Sequence, residues 1–260
     1  MRITVVGAGN MGASTARGLL ASKCCEPQEL HISDPSSAKL QDFKLRGVAT
    51  FSNNIEAAKG SRWVMVFVKP WLVEHVLSEL KPELDYSQQN LVVVAAGVKG
   101  KDLCALLDKE GSLPNLFLVI PNIAIEKLCS MTFVTPVHAD QAVTVEAKDI
   151  FAAMGEVLVV EERLLAAGTT LASCGLAYAM RYVRAASEGG VEIGFYPSQA
   201  LSVVLQTVKG AVALLQENQT HPEAEIDKVT TPGGVTIRGL NEMEKAGFTS
   251  AVIRGIKAGM

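Results

Sequence analysis

Short β-branched and apolar runs alternate with helix-sized stretches through the first 160 residues of the chain. Ile3-Thr4-Val5-Val6, Leu30-His31-Ile32-Ser33, Val64 to Val68, Leu91 to Val94 and Leu116 to Ile120 are each of strand length and bounded by turn residues. Continuous apolar runs of this kind mark strands buried on both faces, and the helical stretches between them predict parallel β-α-β crossovers. Met131 to Val134 and Val157 to Val160 extend the pattern as two further strands at the far edge. The expected fold class is α/β: a Rossmann-type doubly wound sheet over residues 1–160.

Beyond Glu161 the apolar period becomes helical. Residues 163–188 and 198–217 read as helices, and Leu201, Val204, Leu205, Val208, Ala211, Val212 and Leu215 form one stripe along the second. Gly189-Gly190 is expected to stop the first helix, Pro197 to begin the second, and His221-Pro222 to begin a third. Residues 161–260 are thus expected to form an all-α C-terminal domain. Ala185, Ala186, Ala211 and Ala213 permit close helix packing, and the amount of apolar helix surface predicts self-association as a homodimer or higher oligomer. No low-complexity tract interrupts this division, and no repeat of about 20 to 50 residues is visible.

Composition narrows the picture. A chain of 260 residues exceeds the usual single core, and 48% hydrophobic with 20% charged residues suits a well-buried globular protein. The net charge of −3 and the lack of a basic, aromatic-studded stripe argue against nucleic acid. Met1-Arg2 leads straight into a strand and the apolar runs are too short to span a bilayer, so neither a signal peptide nor a membrane partner is expected. The scattered cysteines (Cys24, Cys25, Cys104, Cys129, Cys174) and histidines (His31, His75, His138, His221) lack metal-ligand spacing. Reduced thiols, a cytoplasmic location and no metal follow as expectations. Cys174 reads as a small, partly buried thiol with nothing nearby to lower its pKa. Trp63 and Trp71 are expected to pack in or beside the sheet.

Gly7-Ala8-Gly9-Asn10-Met11-Gly12 carries the clearest chemistry. It follows a strand and opens a helix, the context in which G-x-G-x-x-G binds a dinucleotide. The first glycine permits the tight turn, the second lets backbone approach a pyrophosphate, and the third lets helix and strand pack closely. Free N–H groups at the helix start then face the anion. Asp34 lies near the position where an acid grips the ribose hydroxyls and repels a 2′-phosphate. Ser33, Ser36, Ser37 and Lys39 suit a 2′-phosphate instead, and Asp34-Pro35 also reads as a turn and helix cap. NADPH and NADH both remain open as the cofactor.

Val68-Lys69-Pro70, Ala95-Ala96-Gly97-Val98, Pro121-Asn122 and Thr231-Pro232-Gly233-Gly234-Val235-Thr236-Ile237 stand in one order. In these motifs the chain resembles the pyrroline-5-carboxylate reductase family, which performs the last step of proline biosynthesis. The resemblance runs from the first strand to Gly247-Phe248. It implies that Asn54, Val68, Lys69, Pro70, Ala95, Ala96 and Gly97 line the cofactor path, with Pro121 and Asn122 beside the nicotinamide. It also implies that Thr231, Gly233, Gly234, Val235 and Gly175 bind substrate, that the Thr236 hydroxyl lies near the ring nitrogen as the catalytic group, and that helical domains intertwine in dimers. Such chemistry needs no strong acid or base: a cyclic imine protonated from solvent must be held against a hydride donor. Glycines ahead of a helix suit its carboxylate.

The match departs from the family pattern near the expected substrate pocket. The family's Ser-Gly-Ser-Gly-Pro-Ala is here Ala172-Ser173-Cys174-Gly175-Leu176-Ala177, its Pro-Asn-Thr-Pro is Pro121-Asn122-Ile123-Ala124, and a threonine is replaced by Val235. Other readings are therefore a reductase of another small cyclic imine or keto substrate, and a nucleotide-binding regulatory protein without catalysis. A β-hydroxyacid-dehydrogenase-like enzyme would need a catalytic lysine in the helical half. Lys209, Lys228, Lys245 and Lys257 sit in no such motif.

Overall fold

The alternating apolar positions form one eight-stranded sheet in a computed structural model describing residues 1–260. Its strands are β1 (Ile3–Val6), β2 (Leu30–Ser33), β3 (Ala49–Phe51), β4 (Trp63–Val66), β5 (Asn90–Val93), β6 (Asn115–Ile120), β7 (Ser130–His138) and β8 (Gly155–Val159). The spatial order is β3-β2-β1-β4-β5-β6-β7-β8. Ile3, Val5, Trp63, Met65 and Phe117 turn to one face, while Val6, Val64, Val66, Leu91 and Leu116 turn to the other. Helices α1 (Asn10–Ala21), α2 (Ser37–Leu45) and α6 (Gln141–Ala152) cover the first face through Ala16, Leu19, Phe43 and Phe151. Helices α3 (Asn54–Ala58), α4 (Val73–Leu80) and α5 (Gly100–Leu107) cover the second through Ala58, Val76, Leu77, Leu80 and Leu103. Both faces of β1, β2, β4, β5 and β6 are thus sealed, which is why these strands read as unbroken apolar runs. The edge strand β8 leaves Leu158 and Val159 exposed.

Two features differ from the sequence expectation. The short edge strand β3 is added beside β2, and β7 runs antiparallel to β6 while β8 is parallel to β7. A parallel return needs a crossover of about a dozen residues or more. Only one turn of 3₁₀-helix, Ile123–Lys127, joins β6 to β7, so the chain reverses. That turn packs on α1 at Gly18, where an added Cβ would lie 2.6 Å from the Ile125 carbonyl oxygen.

The chain divides into two compact units, Met1–Ser173 and Cys174–Met260. Helical conformation begins earlier, with a 3₁₀ turn at Glu162–Leu164, α7 (Leu165–Gly168) and a wide π-helical segment, Thr169–Cys174. Leu165 joins the sheet's second core and Gly168 lies against the Phe133 ring, which keeps this stretch with the first unit.

The second unit holds α8 (Gly175–Glu192), α9 (Pro197–Asn218), α10 (Pro222–Lys228), α11 (Val235–Lys245) and α12 (Phe248–Ala258). Pro197 and Pro222 occupy first-turn positions, with His221 as a cap accepting from the Glu223 N–H. Gly189-Gly190 does not stop α8, contrary to expectation: the helix runs through to Glu192 and turns out at Gly194, φ +109°. Gly190 instead makes room for α9, since a Cβ there would stand 2.9 Å from the Ala200 Cβ. Ala200 is the one buried residue of this unit. Leu201, Leu205 and Val212 of the apolar stripe remain exposed, and α9 is long and apolar enough by composition to cross a membrane.

Candidate active site

The glycine turn after β1 owes its shape to three different steric demands. Gly7 has φ +99°, and a Cβ on it would sit 2.3 Å from the Phe67 carbonyl oxygen. A Cβ on Gly12 would fall 1.9 Å from the Gly7 carbonyl oxygen, so α1 can leave β1 this steeply only without a side chain there. Gly9 faces open space, with no atom within 4 Å of its missing Cβ. It caps α1 in extended conformation with no side chain on the free N–H groups, and no acid lies in the first turn. An uncapped helix start reached through an open glycine fits a pyrophosphate. Asn10 and Met11 form the outer lip of this turn, exposed and half-buried respectively.

Asp34 is buried beneath the turn. One carboxylate oxygen accepts from the Ala8 N–H at 2.9 Å and from Lys39 Nζ at 3.2 Å, and the other accepts from the Ser36 N–H at 2.9 Å. The turn at Asp34-Pro35 is present, closed by the Ser36 N–H on the Asp34 carboxylate, while the residue that caps α2 is Ser36, with no side-chain bond to the helix start. The carboxylate braces the glycine turn from inside, a use that local sequence does not reveal. Ser33, fully buried, donates to Asn54 Oδ1 at 2.8 Å, and Asn54 Nδ2 donates to Glu79 at 3.2 Å.

The remaining expected cofactor residues follow the carboxyl ends of β4, β5 and β6. Val68 is half-buried, while Lys69 and Pro70 are exposed at a 3₁₀ turn, Pro70–Leu72. Trp71 in that turn is 75% exposed, unlike the expected packing, whereas Trp63 is fully buried and donates to Glu146. Ala95 is buried, and Ala96 and Gly97 are exposed with Gly97 at φ +77°. Asn122 is buried and fully engaged: its N–H donates to Ser130 Oγ, Oδ1 accepts from the Ala124 N–H at 3.1 Å, and Nδ2 donates to the Ala172 carbonyl at 3.4 Å. These segments line one edge of the sheet, beside the point where strand order reverses between β1 and β4, where doubly wound sheets bind ligands.

The expected substrate residues lie in the helical unit. Thr231, Pro232 and Gly233 form an exposed turn closed by the Gly234 N–H on the Thr231 carbonyl at 3.0 Å. Gly233 has φ +67°, and a Cβ on Gly234 would lie 2.5 Å from Thr231 Oγ1. Gly234 caps α11 without a side-chain bond, leaving the N–H groups of Val235 and Thr236 open; Val235 is exposed and Thr236 half-buried. Gly175, half-buried, opens α8. Cys174 is a free, partly buried thiol, and burial pushes the Cys25 thiol up to about 12.

Fold and site define a nicotinamide-dinucleotide-dependent oxidoreductase. A model for NADP oxidoreductases, coenzyme F420-dependent, matches residues 2–98, and one for pyrroline-5-carboxylate reductase dimerisation matches residues 162–260. Pyrroline-5-carboxylate reductase 1 of Dictyostelium discoideum is 35% identical over 98% of this chain, which spans 48% of that relative's length. The Arabidopsis thaliana pyrroline-5-carboxylate reductase is 34% identical, with 99% of this chain and 92% of that protein covered. Among solved structures, Plasmodium falciparum pyrroline carboxylate reductase with NADP bound superposes with a TM-score of 0.89 at 24% identity, covering 100% of this chain and 95% of that one. The chain belongs to the pyrroline-5-carboxylate reductase family. Its reaction class is NAD(P)H-dependent reduction of a small cyclic imine, and it self-associates through the helical region.

Proposed function

We propose that this chain reduces 1-pyrroline-5-carboxylate to proline with NADPH as its preferred donor, in the cytoplasm. The observation that carries the reading is the glycine turn, whose Gly7 and Gly12 admit no side chain and whose Gly9 leaves the start of α1 open. The bound dinucleotide supplies a hydride to the imine carbon. Around it, Asn54, Val68, Lys69, Pro70, Ala95, Ala96 and Gly97 form the walls of the cofactor path, and the Pro121-Asn122 segment is the floor beside the reacting ring.

The open N–H groups of Val235 and Thr236 hold the substrate carboxylate, and Thr231, Gly233 and Gly234 shape that turn. The Thr236 hydroxyl hydrogen-bonds the ring nitrogen. The imine nitrogen enters protonated from solvent, so hydride addition to the carbon yields the neutral ring amine with no acid required from the protein. The protein's contribution is alignment, worth several orders of magnitude when donor and acceptor are held in line. Preference for NADPH rests on Asp34. Both its oxygens are engaged by the Ala8 N–H, the Ser36 N–H and Lys39, so its charge is balanced inside the turn, and the hydroxyls of Ser36 and Ser37 suit a 2′-phosphate.

Oxidation of NADPH and NADH with 1-pyrroline-5-carboxylate, followed at 340 nm beside Thr236→Ala, tests this. Turnover faster with NADPH and lowered about tenfold or more in the variant is expected. No turnover with either donor would overturn the reaction, and tight NADPH binding without imine reduction would favour a regulatory protein.

A further inference from the structure

The π-helical segment Thr169–Cys174 reaches back to the floor of the cofactor site at two adjacent points. The Ser173 hydroxyl donates to the Pro121 carbonyl at 3.2 Å, and Asn122 Nδ2 donates to the Ala172 carbonyl at 3.4 Å. Each residue of the pair Pro121-Asn122 is therefore bonded to one residue of the pair Ala172-Ser173. Where a helix widens to i→i+5 pairing, its carbonyls leave the ordinary ladder and become open to other donors. The Asn122 amide bonds a carbonyl of this segment.

From below, the same pair is held by Ser130, whose hydroxyl accepts the Asn122 N–H and also bonds Thr132 Oγ1 at 3.0 Å. Asn122 Oδ1 accepts the Ala124 N–H while Nδ2 donates to the Ala172 carbonyl, so both ends of the side-chain amide bond backbone. Its amide orients backbone.

Ser173 stands where the family pattern has glycine, so its hydroxyl is a feature of this chain. Leu176 stands where the pattern has proline, and it carries the backbone N–H that a helix running out of the π segment needs.

We propose that Ser173 is a positioning residue for hydride transfer: with Asn122 it forms a two-point clamp that fixes the Pro121-Asn122 floor against the π-helical segment. The proposal rests on the reading that this floor lies beside the nicotinamide. In this role Ser173 acts through the Pro121 carbonyl. A floor free to shift would let the nicotinamide ring rock, which lowers the rate of the hydride step more than the affinity for either ligand.

The test uses the full-length protein with Ser173→Ala, Ser173→Gly and Ser173→Thr. Amide hydrogen exchange of the peptide covering residues 118–126, without ligand, reads the clamp itself. Exchange about tenfold faster in the Ala and Gly variants, with the Thr variant like wild type, is expected. Steady-state turnover of 1-pyrroline-5-carboxylate with NADPH reads its consequence. Expected there is a drop in kcat of about tenfold, KM values within about twofold, and a larger isotope effect with deuterated NADPH, with Thr restoring kcat. Unchanged exchange in both hydroxyl-free variants would overturn the clamp, whatever the turnover. Faster exchange with unchanged kcat would overturn the positioning role while leaving the reaction intact. Wild-type protein without turnover would instead remove the reaction, with exchange still deciding the clamp.

Discussion

The sheet unit and the helical unit use the same apolar residue types to opposite ends. In the sheet unit, Val, Ile and Leu of the inner strands alternate onto two faces and each face is covered by helices of the same chain, down to fully buried Trp63, Phe117 and Phe151, with the edge strand β8 showing Leu158 and Val159 to solvent. In the helical unit the stripe on α9 packs only partly, with Leu201, Leu205 and Val212 left exposed, and Ala200 alone is buried. One unit contains its own partner surfaces. The other leaves apolar helix surface open within the region, residues 162–260, that matches the dimerisation model. Apolar patterning, then, tells which surface will be covered but not by whom.

The sharpest way to break this comparison is to charge the stripe. Leu205→Glu with Val212→Glu should weaken self-association at least about a hundredfold, since buried unpaired carboxylates are costly at an interface. Light scattering after size exclusion should find monomer, while NADPH affinity stays near wild type because the glycine turn belongs wholly to the sheet unit. Loss of NADPH binding on dissociation would show the units to be interdependent.

Gly12→Ala attacks the other side. Its Cβ meets the Gly7 carbonyl oxygen at 1.9 Å, so α1 must move away from β1. Fluorescence titration should show NADPH affinity lowered about a hundredfold, with oligomeric state unchanged. Gly190→Val is smaller: crowding of Ala200 should cost about 1–3 kcal/mol, seen as earlier thermal unfolding with NADPH binding preserved.

The smallest effect is electrostatic. Glu146 accepts from Arg62 and from Trp63, and the Arg62 guanidinium foremost holds its carboxyl below the ordinary carboxylate range. A depressed carboxylate stabilises the fold above its unfolded pKa of about 4.3, and the contribution fades as pH falls through the folded value. Glu146→Gln should therefore destabilise by under about 1 kcal/mol at pH 7, Arg62 being half-exposed. Wild-type and variant denaturation curves should converge near pH 3.

How legible each feature is in the sequence follows from the range of the interaction behind it. Strands β1, β2, β4, β5 and β6 announce themselves because both faces are buried, and the glycine turn does so because its three constraints act within six positions. Strand β3 is only three half-buried residues and carries no comparable signal. The direction of β7 depends on the length of its connection, not on its composition. Gly189-Gly190 looks like a stop because glycine usually is one, yet its reason is a neighbour on the next helix. Asp34 and Asn122 are visible as polar residues in the right places. Which atoms they hold is decided by Ala8 and Ala172, brought near only when the sheet is assembled.

The unequal tryptophans give the molecule two separate optical reporters. Trp63 sits in a dry, hydrogen-bonded site on β4, so its emission should be blue-shifted and move to the red on unfolding. Trp71 stands in water on the turn next to Lys69 and Pro70, with red emission that a nearby dihydronicotinamide would absorb. The wavelength of the blue part then follows the integrity of the sheet, while the intensity of the red part follows the solvent-exposed turn, without any label.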